Sequence, residues 1–105
     1  MRMATALCLV PTIALAQTDP LQSMARAQEL GAILASEQLC DLVLDQAGIE
    51  AWIAAHVAKD DLTFASHLQM MTRGQELQLK DISASGKTAH CAAVRQSAAA
   101  AGLIK

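Results

Sequence analysis

Apolar residues recur with the 3.6-residue period of amphipathic helices in four segments, which are separated by short polar stretches. The first helix is predicted to follow Asp19 as N-cap, to hold Pro20 in its first turn and to end near Gln38. Its candidate apolar face consists of Met24, Ala27, Gly31 and Leu34, with Leu30 and Ile33 beside it. The second helix follows Asp45 as N-cap and has the clearest stripe, made of Ile49, Trp52, Ile53, His56 and Val57.

Two further helices are predicted in the second half of the chain. One of the two aspartates Asp60 and Asp61 is expected to cap a helix over residues 62–73, and Gly74 is expected to end it. The inward stripe of this helix consists of Phe64, Leu68 and Met71. The apolar residues that follow require burial in a short helix or an irregular connection; they are Leu77, Leu79 and Ile82. The last helix is predicted from about Ser83 to Ala101, with Gly102 as its stop.

Composition favours helices over strands. Alanine is abundant, the aromatic residues are one Trp and one Phe, and strand-forming residues are too sparse for a sheet. The large apolar residues are sufficient for one core. We therefore predict an all-α fold, a small bundle of about four helices in a single mature domain over residues 17–105.

Residues 1–16 have the three regions of a cleavable secretory signal. Arg2 precedes an apolar run from Ala4 to Ala16, and Ala14-Leu15-Ala16 forms a small-residue cleavage site before Gln17. As a helix this run would span about 20 Å, too short for the ~30 Å hydrocarbon core of a membrane. We expect a periplasmic or secreted mature chain with no stable membrane anchor.

Export determines the expected chemistry of the cysteines. Removal of the leader takes away Cys8 and leaves Cys40 and Cys91, which an oxidising compartment is expected to join as a disulfide. This bridge would tie the junction of the first two helices to the middle of the last helix. The alternatives are two separate buried thiols or a redox-active pair, although the usual C-x-x-C spacing of such pairs is absent.

The mature chain is acidic. Seven lysines and arginines against ten aspartates and glutamates give a net charge of −3 with neutral histidines. Binding to a phosphate backbone requires a basic face, so a nucleic-acid partner is not expected. A protein partner or a homodimer remains compatible with this charge.

No catalytic or cofactor-binding residue is predicted. Ser66 and His67 are sequence neighbours, as are His90 and Cys91, and neighbouring residues on a helix point about 100° apart. The chain also lacks the G-x-S-x-G element or glycine-rich loop that would supply an oxyanion site. The sequence therefore argues against an enzyme.

Two histidines suggest other chemistry. His67, Met70 and Met71 are the sharpest metal candidate, because imidazole with soft thioether ligands favours Cu(I). The alternative is that these residues pack in the core or on the surface. His56 shares the Trp52 stripe, so it is either a buried pH-sensitive position or a partly exposed histidine that complements the end of its helix.

The C-terminal segment offers a possible contact. Leu103 and Ile104 follow the small residues Ala98–Ala101 and would either form an interface with a partner helix or a second copy, or pack within the bundle.

A small, exported, helical chain with one disulfide resembles the HdeA-type periplasmic acid-stress chaperones in architecture. The run from Cys40 to Trp52, together with Thr88-Ala89-His90-Cys91, is also similar to small secreted proteobacterial proteins without an assigned activity. These resemblances imply location and fold but no mechanism. The leading expectation is a non-catalytic periplasmic binding or interaction module, for example in envelope stress. An acid-responsive periplasmic chaperone and a copper-binding periplasmic protein are the alternatives.

Overall fold

The computed structural model describes residues 20–105, so the predicted signal peptide, Cys8 and the Asp19 cap lie outside the described residues. Four helices follow one another: α1 (Pro20–Ala35), α2 (Gln46–His56), α3 (Phe64–Leu79) and α4 (Ala84–Ala100). Within the described range, β-type pairing is limited to an isolated bridge between Leu44 and Ile104. The predicted all-α bundle is confirmed.

α1 and α3 pack against each other and run in the same direction. Near their starts, the Ser23 hydroxyl donates a 2.6 Å hydrogen bond to the Asp61 carboxylate. Further along, a Cβ on Gly31 would lie only 3.2 Å from the Thr72 backbone nitrogen. Four small residues at four-residue spacing are buried on α1: Ser23, Ala27, Gly31 and Ala35. Because small side chains reduce the distance between helix axes, they explain this close contact.

α1 ends at Ala35, earlier than predicted, and the chain continues in turns through Asp41. Asp41 then adopts a left-handed conformation with φ of 49°. The Leu42 amide donates a hydrogen bond to the Glu37 carbonyl at 2.9 Å, which is the 6→1 bond of a Schellman motif. This left-handed residue redirects the chain directly after Cys40.

α3 differs from the prediction at both ends. Thr63, not one of the two aspartates, holds the N-cap position, and Asp61 accepts hydrogen bonds from the Thr63 amide at 3.1 Å and hydroxyl at 2.8 Å. The predicted stop at Gly74 is wrong, because the helix continues to Leu79. Glycine weakens a helix interior by about 1 kcal/mol relative to alanine but does not forbid it. Beyond Gly74 the helix carries Leu79, which is half-buried and lines a groove together with Leu34 of α1.

The predicted start and stop of α4 are confirmed. The Ser83 hydroxyl accepts a 3.0 Å hydrogen bond from the Gly86 amide, as an N-cap does. At the other end Gly102 has φ of +73°, and the Leu103 amide donates to the Ala98 carbonyl at 2.9 Å. This Schellman ending brings the fully buried Leu103 and Ala98 side chains to the same side of the chain.

The Cys40–Cys91 disulfide predicted from the sequence is present, with the two Cα atoms 5.3 Å apart. Beside it, the Arg95 guanidinium donates a hydrogen bond to the Cys40 carbonyl. The segment after Cys40 then follows the C-terminal residues, because the Asp45 amide donates to the Leu103 carbonyl at 2.7 Å. The C-terminus is thus part of the bundle.

One core connects the four helices. Its buried residues are Ala27, Leu30, Ile33, Cys40, Leu42, Leu44, Trp52, Phe64, Cys91, Val94, Ala98 and Leu103. Trp52 anchors α2 in this core, as the sequence predicts. Between residues 20 and 105, no helix combines the length and apolar character required to span a bilayer.

Candidate functional site

An open groove, here called the α1–α3 groove, follows the contact between these two helices. It has two adjoining parts that share Leu34 and Glu76. Half-buried leucines from both helices and the turn after α1 line it: Leu34, Leu39, Leu68 and Leu79. Charges of both signs also lie along it: Glu37, Arg73, Glu76 and Lys80. The groove is therefore apolar at its base and polar at its edge.

A second apolar feature lies on the solvent side of α3 and meets the groove at its edge, where Met70 and Arg73 also line the groove. Met70 is 57% exposed and Leu77 is 67% exposed. They are seven positions apart in the sequence, which places them on one stripe two turns long. We call Met70, Arg73, Gly74 and Leu77 the outer face of α3.

The metal candidate is divided between two sides of α3. Met71 packs against the core and lies near Gly31, whereas Met70 is on the outer face. His67 is half-buried, and its Nδ1 atom is buried without a hydrogen-bond partner among the described residues. A copper ion held by all three residues would require Met71 to leave its core contact. In the described part of the chain, no cluster of three His, Cys, Asp or Glu residues is arranged to hold a metal ion.

His56 lies at the surface in the last turn of α2. Its ring stacks on Trp52 with the ring centroids 4.6 Å apart and the planes inclined by 27°. Its Nδ1 atom is 2.9 Å from the Trp52 carbonyl oxygen. The imidazole thus covers one side of the buried indole and remains in contact with solvent.

His90 has a structural role that sequence analysis missed. Its Nε2 atom lies 2.7 Å from the hydroxyl of the fully buried Ser36. Since that hydroxyl donates its single hydrogen to the Ala32 carbonyl at 2.7 Å, it accepts from His90. This bond joins α4 to the end of α1 beside the Cys40–Cys91 disulfide. The two partners are 54 residues apart, and no local pattern pairs them.

The two C-terminal residues considered as an interface pack largely inside the protein's own bundle. Leu103 is fully buried in the core, and Ile104 is half-buried and bridges to Leu44. Leu103 is therefore inaccessible to a partner in the folded structure.

The Asp61 carboxylate accepts three hydrogen bonds at the junction of α1 and α3. The hydrogen bond from Ser23 and those from Thr63 lower the pKa of Asp61 below its usual value of 3.8. A lowered folded-state pKa contributes stability above pH 3.8, and that contribution is lost as the pH falls from 3.8 through the folded-state pKa.

We expect the free energy of unfolding to fall more steeply below pH 4 in the wild type than in Asp61→Asn. Urea unfolding at a series of pH values measures this difference. Asp81→Asn, an exposed change beyond the other end of α3, is the control. Equal slopes for the wild type and Asp61→Asn would contradict the assignment.

In comparison with known proteins, no protein-family model, curated protein or solved structure matches this chain.

Proposed function

We propose that this protein is a small exported helical module that binds an amphipathic helix of a protein partner and performs no catalysis. The observation that carries the proposal is the α1–α3 groove, where leucines of two parallel helices form one base. Helix-in-groove recognition uses such a base for the apolar face of the incoming helix.

The dimensions and charge of the groove support this class of partner. From Leu68 to Leu79 the groove follows α3 for about 16 Å, or roughly three helical turns. That length accommodates apolar anchors at positions i, i+4 and i+7 of a bound helix. Because Arg73 and Lys80 lie along the groove with Glu37 and Glu76, a partner helix with charges of both signs beside its apolar stripe fits best.

Export is part of the proposal. It is supported by the signal-like residues 1–16 and by the Cys40–Cys91 disulfide, since stable disulfides are typical of oxidising compartments. A partner would accordingly be a protein of the periplasm or the extracellular space.

Site-specific photocrosslinking in the cells that make the protein tests this function. A photoreactive residue would replace Gln38 or Gln69, two exposed glutamines that line the groove. Gln96, an exposed glutamine on α4, provides the matched control. We expect a discrete adduct with one protein from Gln38 and Gln69, and none from Gln96.

The captured segment then defines the decisive binding measurement. Synthesised as a peptide, it should bind the purified protein, and one charged residue placed in its apolar stripe should weaken binding by at least about tenfold. Equal labelling from Gln38, Gln69 and Gln96, or a peptide that binds regardless of its apolar stripe, would refute the groove as the binding site.

A further inference from the structure

The outer face of α3 is a candidate interface distinct from the base of the groove. Met70 and Leu77 project from it two turns apart, and both remain more than half exposed. Arg73 and Gly74 lie midway between them along the helix. The stripe is short, apolar at both ends and nearly symmetric about its centre.

Gly74 at this centre has no role in the packing of the chain itself. A Cβ added there would meet nothing within 4 Å, and the backbone does not have a positive φ. Glycine destabilises the interior of a helix relative to alanine, so the fold alone does not favour it here. A missing side chain at an exposed helix position permits close approach of another backbone.

The charges beside the stripe are complementary to those of a second copy of this chain. Among the described residues neither Arg73 nor Glu76 takes part in an ion pair. An antiparallel two-fold arrangement centred between Arg73 and Gly74 places Met70 level with the partner's Leu77. It also brings Arg73 to within about 3 Å, along the helix axis, of the partner's Glu76. A parallel arrangement would instead oppose Arg73 to the partner's Arg73.

We infer that this protein forms an antiparallel homodimer through the outer face of α3, with Gly74 next to the two-fold axis. The interface is isologous, so each Arg73–Glu76 contact occurs twice. The inference builds on the proposed function, because Glu76 and the α1–α3 groove lie on one flank of the stripe. The two-fold axis therefore places both grooves on the same side of the dimer, where a bivalent partner gains avidity.

Charge exchange in the purified protein tests the interface by sedimentation equilibrium. We expect the wild type to reach twice the monomer mass, and Arg73→Glu to weaken the dimer by about tenfold or more, because like charges then face each other. Adding Glu76→Arg to Arg73→Glu restores opposite charges across the interface and should restore the dimer. Lys87→Glu, an equal change of charge at an exposed position of α4, should leave the dissociation constant unchanged.

Gly74→Gln separates dimer formation from folding. The added side chain meets open space in the monomer and is a better helix former, so the unfolding temperature of the monomer should rise. In the dimer it would occupy the closest point between the two helices, and association should be lost. Loss of the dimer together with a more stable monomer would support the interface.

Two results would overturn the inference: a monomeric wild type at the highest attainable concentration, or a dimer that neither Arg73→Glu nor Gly74→Gln weakens. The groove function and the homodimer are tested separately, so either can be rejected without the other. If the protein is monomeric but Gln38 and Gln69 still capture a partner, the groove function stands and the homodimer is rejected. If the dimer forms but the groove captures no partner, the homodimer stands alone.

Discussion

Replacing both Cys40 and Cys91 with alanine is expected to lower the free energy of unfolding by about 4 kcal/mol. The sequence separation of 51 means that the disulfide closes a loop of 52 residues, counting both cysteines. Opening this loop increases the conformational entropy of the unfolded chain, which is the main source of the effect in the chain-entropy model. Small domains have only about 5–15 kcal/mol of stability, so such a loss removes a large part of the total.

Urea unfolding at one temperature measures the effect, with Cys40→Ala/Cys91→Ala compared against the oxidised wild type. The wild type under reducing conditions is a second reference, because it retains both sulfur atoms while losing the covalent link. Agreement between the reduced wild type and the double variant would assign the loss to the crosslink. A decrease below about 1 kcal/mol in both would contradict the predicted stabilisation.

Leu103→Ala is expected to destabilise the folded monomer by about 2–5 kcal/mol, the range for truncating a fully buried leucine. Leu103 is fully buried beside Ala98, and its backbone is fixed by hydrogen bonds to Ala98 and Asp45. The surrounding chain therefore has little freedom to fill the space that the lost side-chain atoms leave.

Leu62→Ala provides the matched control, since it makes the same chemical change at a leucine that is 89% exposed. Its effect should remain within about 0.5 kcal/mol. Urea unfolding gives both values, and sedimentation shows whether the oligomeric state changes. A Leu103→Ala variant that keeps full stability but loses self-association would instead assign Leu103 to an interface.

Local signals predicted α4 well because its ends depend on residues close in sequence. The Ser83 cap bonds to Gly86, and Gly102 supplies the left-handed residue after the last turn. The same rules were wrong at Gly74, where α3 continues through a glycine. Glycine within a helix has only a modest cost, and the turns beyond Gly74 bring the half-buried Leu79 to the groove that Leu34 of α1 also lines.

The candidate site was far less predictable than the fold. Periodicity identified Leu34 and Leu68 as apolar helix positions but did not indicate that α1 and α3 run in the same direction and share a groove. Likewise, His90 drew attention only as a neighbour of Cys91, whereas its partner is Ser36. Both features depend on contacts between distant residues, for which a single sequence has no local signal.

By itself the sequence determined the helical class, the presence of four helices, the ends of α4 and the two cysteines of the disulfide, because periodicity, capping chemistry and cysteine content act locally or by composition. Only the tertiary structure decided the length of α3, the burial of Leu103 and the α1–α3 groove. It also decided that Met70 is exposed while Met71 packs against the core. These depend on how helices approach each other. That approach is determined by the side chains of both partners together, such as Gly31 against Thr72.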